Sequence, residues 1–314
     1  MVGRTRLFTD VFSFSPQAPS DALYLMIEGT LCTMLPTTND PTRIYGVDFT
    51  SAPSRSKRIV IAAGHLTAVS FALDSLESLS DWPAFDAWLA RPGPWVAGFD
   101  LPFGLPRELV QTLGWPTQWR PLMQHYAALS RMEIRTTFKA FCDAWPAGAK
   151  FAHRACDIPA GSSPSMKWVN PPVAWMLHAG VPRLIAAGVH IPVLDDGDRA
   201  RVALEAYPGF VARALIGRES YKSDDRARQT PARHAARKRI AGMLEAGACE
   251  WLPRLALPAR LKRTCIDDVS GDSLDAVLCA LQAAWGELRR ESNFGLPPDT
   301  DALEGWIVGV PRAA

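Results

Sequence analysis

The sequence predicts an α/β fold, in which a mixed five-stranded sheet is flanked by helices and interrupted by a helical insertion. Four short apolar runs between residues 44 and 100 have the length of buried strands, and turn residues separate them. The next 95 residues contain only helical fragments, after which one more strand pattern and three helical patterns follow. Strands that alternate with helices in this way are typical of an α/β domain.

The first three predicted strands are consecutive along the chain. They are IYGVDF from Ile44, RIVIAA from Arg58 and LTAVSFAL from Leu66. The last two are expected to form a hairpin around Gly64 and His65, because glycine favours tight turns.

A helix and a fourth strand come next. Ser80 or Asp81 is the expected N-cap of a helix in SDWPAFDAWLARPG, and Gly93 is its expected end. The run WVAGFD then predicts a strand that finishes on Asp100. The first strand likewise finishes close to an aspartate, Asp48.

The predicted insertion contains fragments such as RPLMQHYAALSRM and PPVAWMLHAGVPRLIAAG, which have helical periodicity and no strand pattern. The run ARVALEAYP, from Ala200, predicts the fifth strand, and three helices complete the core. The resulting boundaries are an N-terminal arm at 1–42, a core formed by 43–102 and 198–295, the helical insertion at 103–197, and a C-terminal tail at 296–314.

Composition narrows the expected partners and compartment. A net charge of +2 and an isoelectric point near 8.2 are too mild to indicate nucleic-acid binding by themselves. The six cysteines are scattered without a CxxC pair, which favours a reducing cytoplasm. The most apolar early stretch is interrupted by Glu28 and falls short of the roughly 20 residues that span a bilayer, so no membrane partner is expected. The sequence leaves the oligomeric state open.

The letters GDSL, which begin at Gly271, also name a class of esterases with a serine nucleophile. That class needs a histidine base later in the chain than the motif, whereas the last histidine here is His234. As a helix, the segment is regular. Its apolar residues share one face and are Leu274, Val277, Leu278, Leu281 and Trp285. The pattern therefore favours a core helix in which Ser273 lies between two aspartates.

Four aspartates occupy positions at which a metal site is expected. Asp48 ends the first strand, Asp100 ends the fourth, and Asp272 and Asp275 open the last helix. Strand ends meet at one edge of an α/β sheet, so these carboxylates should repel one another and require a divalent metal ion. Oxygen ligands favour Mg²⁺ or Mn²⁺, and two such ions support phosphodiester hydrolysis. The competing interpretation is structural, with turn aspartates at the strand ends and helix caps at Asp272 and Asp275.

The order of these elements and acids resembles the ribonuclease H-like superfamily, and the pair Asp272-Ser-Leu-Asp275 resembles the closing helix of its resolvase-type branch. More specifically, the chain is similar to domain-of-unknown-function family 429, a group of predicted ribonuclease H-like nucleases, over about residues 43 to 290. The motifs that carry this similarity are YGVDFTSAP, GFDLPFGLP, EAYPG, Tyr221-Lys222 and GDSLDAVLCAL.

The resemblance implies a metal-dependent nuclease centre that contains two Mg²⁺ or Mn²⁺ ions. Its catalytic and metal-binding residues are Asp48, Asp100, Asp272 and Asp275. Glu205 is a further ligand or a supporting residue, and the alternative for it is an ion pair with a local arginine. Lys222 steadies a phosphate or the attacking water.

A basic stretch between Arg218 and Arg239 is the expected nucleic-acid contact. It holds eight basic residues against three acidic ones, and an excess of this kind beside an acidic metal centre suits phosphate binding. The predicted contacts are Arg226, Arg228, Arg233 and Arg237. The alternative is a solvated helix face with local salt bridges.

Two other functions remain open at this stage. An ATP-dependent phosphotransferase of the same core fold also begins with an aspartate on the first strand, but glycines normally follow that aspartate. Here Phe49, Thr50 and Ser51 follow Asp48. The second alternative is a nucleic-acid-binding module that has no catalytic activity.

Overall fold

The computed structural model describes residues 42–312, except 147, 149 and 224, together with two short strands near the N-terminus. The chain divides into two units, Met1–Asp40 and Pro41–Ala314. In the first unit, β1 (Tyr24–Ile27) pairs with β2 (Thr30–Thr33) in antiparallel orientation. The rest of the predicted arm lies outside the described residues.

The second unit is built on a mixed seven-stranded sheet, so the predicted α/β class is confirmed. All five predicted strands are present, and the sheet order is β7-β8-β6-β3-β4-β5-β9. The pairs β3-β4 and β4-β5 are antiparallel, and the other four pairs are parallel. The strands are β3 (Arg43–Asp48), β4 (Ile59–Leu66), β5 (Ser70–Leu79), β6 (Trp95–Phe99), β7 (Val189–His190), β8 (Asp198–Glu205) and β9 (Arg254–Ala256).

The expected count of five strands was too low, because β7 and β9 escaped detection. They pair at the two edges of the sheet and contain two and three residues. Segments this short have no measurable alternation of apolar and polar residues, which is the signal that identifies a strand from sequence.

The predicted hairpin turn at Gly64 and His65 was wrong. β4 continues to Leu66, and the turn closes where the Thr67 backbone N–H donates to the Ser70 carbonyl at 2.8 Å. Gly64 instead lies at an irregularity in the β4-β5 pairing, where any side chain would overlap the ring of Phe71. The glycine therefore marks a close approach inside a strand rather than a turn.

Ten α-helices are described in this unit. They are α1 (Trp82–Leu89), α2 (Arg107–Thr112), α3 (Trp119–Ala128), α4 (Arg131–Asp143), α5 (Asp157–Ala160), α6 (Val173–Ala187), α7 (Pro208–Ile216), α8 (Pro231–Ala246), α9 (Ala259–Asp267) and α10 (Asp272–Glu287). The Asp81 side chain caps α1 by accepting from the Ala84 backbone N–H at 3.0 Å, as predicted. That helix ends at Leu89, earlier than the predicted stop at Gly93.

Two apolar cores lie on the two faces of the sheet. One contains side chains of α1 and of the helices between residues 103 and 197, and the other contains α7, α8, α9 and α10. The last helix, α10, is buried on nearly every side over Asp272–Glu287. Small residues allow this burial, because side chains at Gly46 and Gly98 would overlap the α10 backbone.

Residues 296–312, which the sequence analysis separated as a tail, pack against the core. Leu303, Trp306 and Val308 are buried, and the Val308 backbone N–H donates to the Glu205 carbonyl at 2.8 Å. Among the helices of the described part, none has the length and apolar character that crossing a membrane requires.

Candidate functional site

Asp48 and Asp100 lie side by side at the carboxyl ends of two parallel strands. Val47 on β3 is in register with Phe99 on β6, so the next residue of each strand reaches the same edge of the sheet. The Asp100 backbone N–H donates to the Val47 carbonyl at 2.9 Å, which fixes this arrangement. Parallel pairing thus brings together two residues that are 52 positions apart in sequence.

The last helix adds Asp272 and Asp275 to this edge. Gly46 and Asp48 share the face of β3 on which α10 packs, because side chains alternate along a strand. Asp272 and Asp275 are in the first turn of α10, and both are buried. We call these four residues, Asp48, Asp100, Asp272 and Asp275, the aspartate site.

The alternative role of Asp272 and Asp275, as side-chain caps of α10, belongs to another residue. A different residue, Asp268, accepts a hydrogen bond from the Ser273 backbone N–H at 2.8 Å and so supplies the side-chain acceptor at the start of α10. The carboxylates of Asp272 and Asp275 are instead directed to cationic and hydroxyl partners.

The segment after α7 closes the site over Asp275. The Tyr221 hydroxyl donates to one oxygen of Asp275 at 2.5 Å, and the Lys222 ammonium forms an ion pair with the other oxygen. The stem of Lys222 runs past Gly271, where a side chain would overlap it. The backbone of Gly271 has a φ of 81°, so a glycine is required there for both reasons.

Lys57 is a site residue that the sequence analysis missed. It lies between β3 and β4, and its ammonium group donates to the two oxygens of Asp272 at 3.2 and 3.4 Å. No motif or periodic pattern in that loop distinguishes this lysine from a surface lysine. Only the folded chain brings it to α10.

Burial and mutual repulsion shift the ionisation of the two strand-end aspartates. Desolvation, together with the charges of Asp275, Asp272 and Asp100, raises the pKa of Asp48 well above its usual range. Desolvation also raises the pKa of Asp100 to about 7, although Lys222 opposes that rise. Within the described part of the chain, no group donates a hydrogen bond to the carboxylate of Asp48 or Asp100.

Asp275 and Lys222 stabilise each other's charged forms. Desolvation raises the pKa of Asp275, against the opposing effects of the Lys222 ammonium and the Tyr221 hydroxyl. Desolvation lowers the pKa of Lys222, but the surrounding carboxylates outweigh it and leave that pKa well above its usual value. Lys222 is therefore a charged ammonium at neutral pH, in contact with the aspartate site.

Glu205 lies on the opposite face of the sheet from Asp48. It is in register with Phe99 and shares the face that carries Val47 and Phe99. Arg154 donates to its two oxygens at 2.7 and 2.8 Å, and the Phe103 backbone N–H donates at 2.9 Å. Both oxygens are thus engaged in an ion pair with a buried arginine, which is the structural alternative that the sequence left open.

The donors of the aspartate site are all carboxylate oxygens, which is the ligand type that Mg²⁺ and Mn²⁺ prefer. Among the described residues, no three Asp, Glu, His or Cys side chains converge closely enough to enclose a metal ion. The ammonium of Lys222 is the positive charge that lies against Asp275. The chemistry of the donors fits a hard divalent ion, and no described residue donates a competing hydrogen bond to the two strand-end carboxylates.

The family described as "Protein of unknown function (DUF429)" matches residues 46–299, which include the whole aspartate site. The chain belongs to this family. No curated protein and no solved structure matches the chain.

In this DUF429 chain, the predicted nucleic-acid contacts separate into surface and interior residues. Arg228 is exposed, and its Nε lies 3.4 Å from a carboxylate oxygen of Asp225. The Arg233 Nε donates to the Ser220 hydroxyl at 3.1 Å. The side chain of Arg226 lies outside the described residues. Arg228 lies between α7 and α8, in the segment that carries Lys222, whereas Arg233 lies in the first turn of α8.

Arg237 has a different place from the one expected. Its guanidinium is buried and donates to the carbonyl oxygens of Tyr221 and Ile266, each at 2.7 Å. A side chain enclosed in this way has no surface to offer a phosphate. The predicted phosphate contact at Arg237 is therefore wrong. Arg237 is a positioning residue, because it holds the backbone of Tyr221 beside Asp275.

A cleft of about 750 Å³ opens next to the aspartate site. Asp100, Tyr221 and Lys222 line it, together with residues of α7 and of the segment between α5 and α6. This DUF429 chain therefore has a sizeable cavity that is lined in part by Asp100, a carboxylate with a raised pKa.

Proposed function

We propose that the protein is a metal-dependent nuclease, which hydrolyses phosphodiester bonds of nucleic acid with Mg²⁺ or Mn²⁺. The observation that carries this proposal is the pairing of Asp48 and Asp100 at one sheet edge, with raised pKa values and no hydrogen-bond donor among the described residues. Carboxylates held together in this way oppose folding, and strongly perturbed groups beside a cleft are typical of functional sites.

The four carboxylates are the expected ligands of two ions. When bound, such ions activate a water molecule and stabilise the oxygen that departs from phosphorus. Asp48 and Asp100 supply ligands from the sheet, and Asp272 and Asp275 supply them from α10. Since no three acidic groups enclose an ion among the described residues, ion binding also requires these side chains to move closer together.

The neighbouring residues have roles that need no metal ion. Tyr221 fixes the orientation of Asp275 through its hydroxyl hydrogen bond. The Lys222 ammonium lines the cleft and is positioned to bind a phosphate oxygen of the substrate. Glu205, through Arg154, holds the chain after β6 and β8 in place rather than contributing a ligand.

We also propose a ribonuclease H-like core. Three antiparallel strands are followed by a helix and then by two strands parallel to the first. This connectivity, with acids at the ends of β3 and β6 and on α10, agrees with what the family resemblance implies. It supports the placement of the catalytic centre at this edge of the sheet.

The test compares wild-type protein with Asp48→Asn and Asp272→Asn on labelled single-stranded, double-stranded, hybrid and branched nucleic acids. Asp143→Asn is the matched control, since Asp143 is an exposed aspartate on α4 that pairs with Lys139. Cleavage should require Mg²⁺ or Mn²⁺, disappear in both site variants and persist in the control. Calorimetry with each ion should detect binding to wild-type protein and not to Asp48→Asn.

Other outcomes would favour a different function. Cleavage that survives both site substitutions in chelator would contradict the proposal. ATP turnover without nucleic acid would favour the phosphotransferase. Salt-sensitive nucleic-acid binding without cleavage under any divalent ion would favour the binding module.

A further inference from the structure

The lining of the cleft beside Asp100 combines apolar and basic residues. Pro171, Val173 and Met176, at and near the start of α6, contribute apolar surface. Arg213 and Arg218, from α7 and the segment that follows it, contribute positive charge. A ligand of this cleft is therefore expected to combine an apolar face with negative charge.

The size of the cleft limits which nucleic acids can enter. A volume of about 750 Å³ is within the range of pockets that hold one small molecule, about 300–1,000 Å³. A space of this size suits a single nucleotide, either within a single strand or extruded from a duplex, rather than a whole double helix.

The positive charges of the cleft differ in whether they already have partners. Arg154 is buried against Glu205 and Asp157, and Lys222 pairs with Asp275. The Arg213 guanidinium donates to the Ala160 carbonyl.

Arg218 differs from these three. It is exposed, and among the described residues it has no hydrogen-bond or ion-pair partner. Its neighbour Glu219 does not neutralise it, because the Glu219 carboxylate pairs with Arg239. A guanidinium that has no partner in the described part of the chain, and that lines the same cleft as Asp100, is suited to bind a phosphate through two parallel hydrogen bonds.

We propose that this cleft holds an unpaired nucleotide of the substrate, with its base against the apolar residues at the start of α6 and its phosphate on Arg218. The inference rests on the proposed nuclease function and specifies its substrate as single-stranded or locally unpaired nucleic acid. The paired parts of a substrate stay outside, and the scissile bond reaches Asp100 only where one strand leaves the duplex.

The test uses three labelled oligonucleotides of one sequence: a single strand, a full duplex, and a duplex with one unpaired nucleotide. Cleavage is measured with Mg²⁺ or Mn²⁺, and binding is measured in chelator. The variants are Arg218→Ala and, as a matched control, Arg263→Ala. Arg263 is an exposed arginine on α9 that lies outside the cleft and has no partner among the described residues.

Wild-type protein should cut the single strand and the bulged duplex at least tenfold faster than the full duplex. Arg218→Ala should weaken binding of the single strand about tenfold or more, as expected for loss of a charged hydrogen-bonding pair. It should also reduce the slope of log K against log salt by about 0.7, the value for one phosphate contact on a single strand. Arg263→Ala should change neither quantity. Ser163→Trp, which adds a bulky side chain at another lining position of the cleft, should slow cleavage of the single strand.

The outcomes separate this inference from the nuclease proposal. Cleavage of the full duplex as fast as the single strand, or equal effects of Arg218→Ala and Arg263→Ala, would overturn the inference and leave the nuclease intact. Arg218-dependent binding of the single strand without any cleavage would retain the cleft assignment and remove the nuclease. Binding of a free nucleoside monophosphate without binding of the oligonucleotide would also overturn the inference, because the ligand would then be a small molecule.

Discussion

A side chain at Gly46 would overlap the backbone of Ala276, so the absence of a side chain lets α10 pack directly on β3. Asp48 lies two residues after Gly46, on the same face of the strand, and Asp275 lies one residue before Ala276. The close approach of helix and strand therefore brings the two carboxylates into one site. Gly98 allows the same approach over β6, which carries Asp100 at its end.

Replacement of Gly46 with alanine is expected to destabilise the protein by about 1–3 kcal/mol, because the methyl group forces the helix away from the strand. Urea unfolding measures this change. Gly242→Ala is the matched control, since Gly242 lies in α8 with open space around it. That substitution should stabilise the protein by about 0.5–1 kcal/mol through helix propensity. Equal effects at the two glycines would show that α10 does not depend on this contact.

The ionisation of Asp100 predicts how stability depends on pH. Its pKa is about 7 in the folded protein and near 4 in an unfolded chain. The folded state thus binds the proton more tightly, so this stabilising contribution is present below pH 4 and is lost as the pH rises through 7. Without divalent ions, Asp100→Asn should therefore have a higher melting temperature than wild type above pH 7, and this advantage should shrink toward pH 4.

Melting curves between pH 4 and pH 9 in chelator check this prediction. Addition of Mg²⁺ or Mn²⁺ at pH 8 should raise the melting temperature of wild type more than that of the variant, since a bound ion stabilises the folded state that binds it. A difference between the two proteins that stays constant with pH would mean that Asp100 does not titrate in this range.

The ion pair of Arg154 and Glu205 gives a prediction about stability. Arg154→Met leaves the buried carboxylates of Glu205 and Asp157 without their cation, and removing one partner of a buried pair costs about 3–5 kcal/mol. Lys139→Ala is the control, because Lys139 forms an exposed ion pair with Asp143, and its loss should cost less than about 1 kcal/mol. Chemical denaturation measures both values.

A related substitution separates the two roles considered for Glu205. Because Arg154 engages both of its oxygens, Glu205→Gln should lower stability while leaving the affinity for Mg²⁺ close to that of wild type. A metal affinity reduced by about tenfold or more, measured by calorimetry, would instead identify Glu205 as a ligand or as a residue that orients one.

Much of the architecture was predictable because it depends on local patterns. Apolar runs of strand length predicted five strands, and the acids at the ends of β3 and β6 followed from the same runs. The face on which Glu205 lies depends on the register of the folded sheet. Glu205 pairs with Phe99, whose face carries Val47, so its side chain lies on the opposite face from Asp48.

Other features depend on contacts between distant parts of the chain. Lys57 and Asp272 are separated by 215 positions, and no local pattern links them. The interior position of Arg237 was equally hidden, since an arginine in a basic stretch is usually solvated. Gly64 was assigned to a turn because glycine has two common uses, and only the folded sheet distinguishes a turn from a close approach.

The hydrogen bond from Tyr221 to Asp275 predicts an effect on both stability and pH dependence. Both groups are buried, so Tyr221→Phe should lower the free energy of unfolding by about 1–3 kcal/mol. The hydroxyl also opposes the desolvation that raises the pKa of Asp275. Its loss should raise that pKa further and shift the acid limb of metal binding, and of any metal-dependent cleavage, to higher pH.

Tyr126→Phe is the matched control for this prediction. The Tyr126 hydroxyl is also buried and donates to the Ala174 carbonyl at 3.1 Å, but it does not contact the aspartate site. Both variants should lose stability in denaturation experiments, and only Tyr221→Phe should shift the pH profile of Mg²⁺ binding. If neither or both variants shift that profile, Tyr221 supports the fold alone, and the ionisation of Asp275 is governed by burial and Lys222.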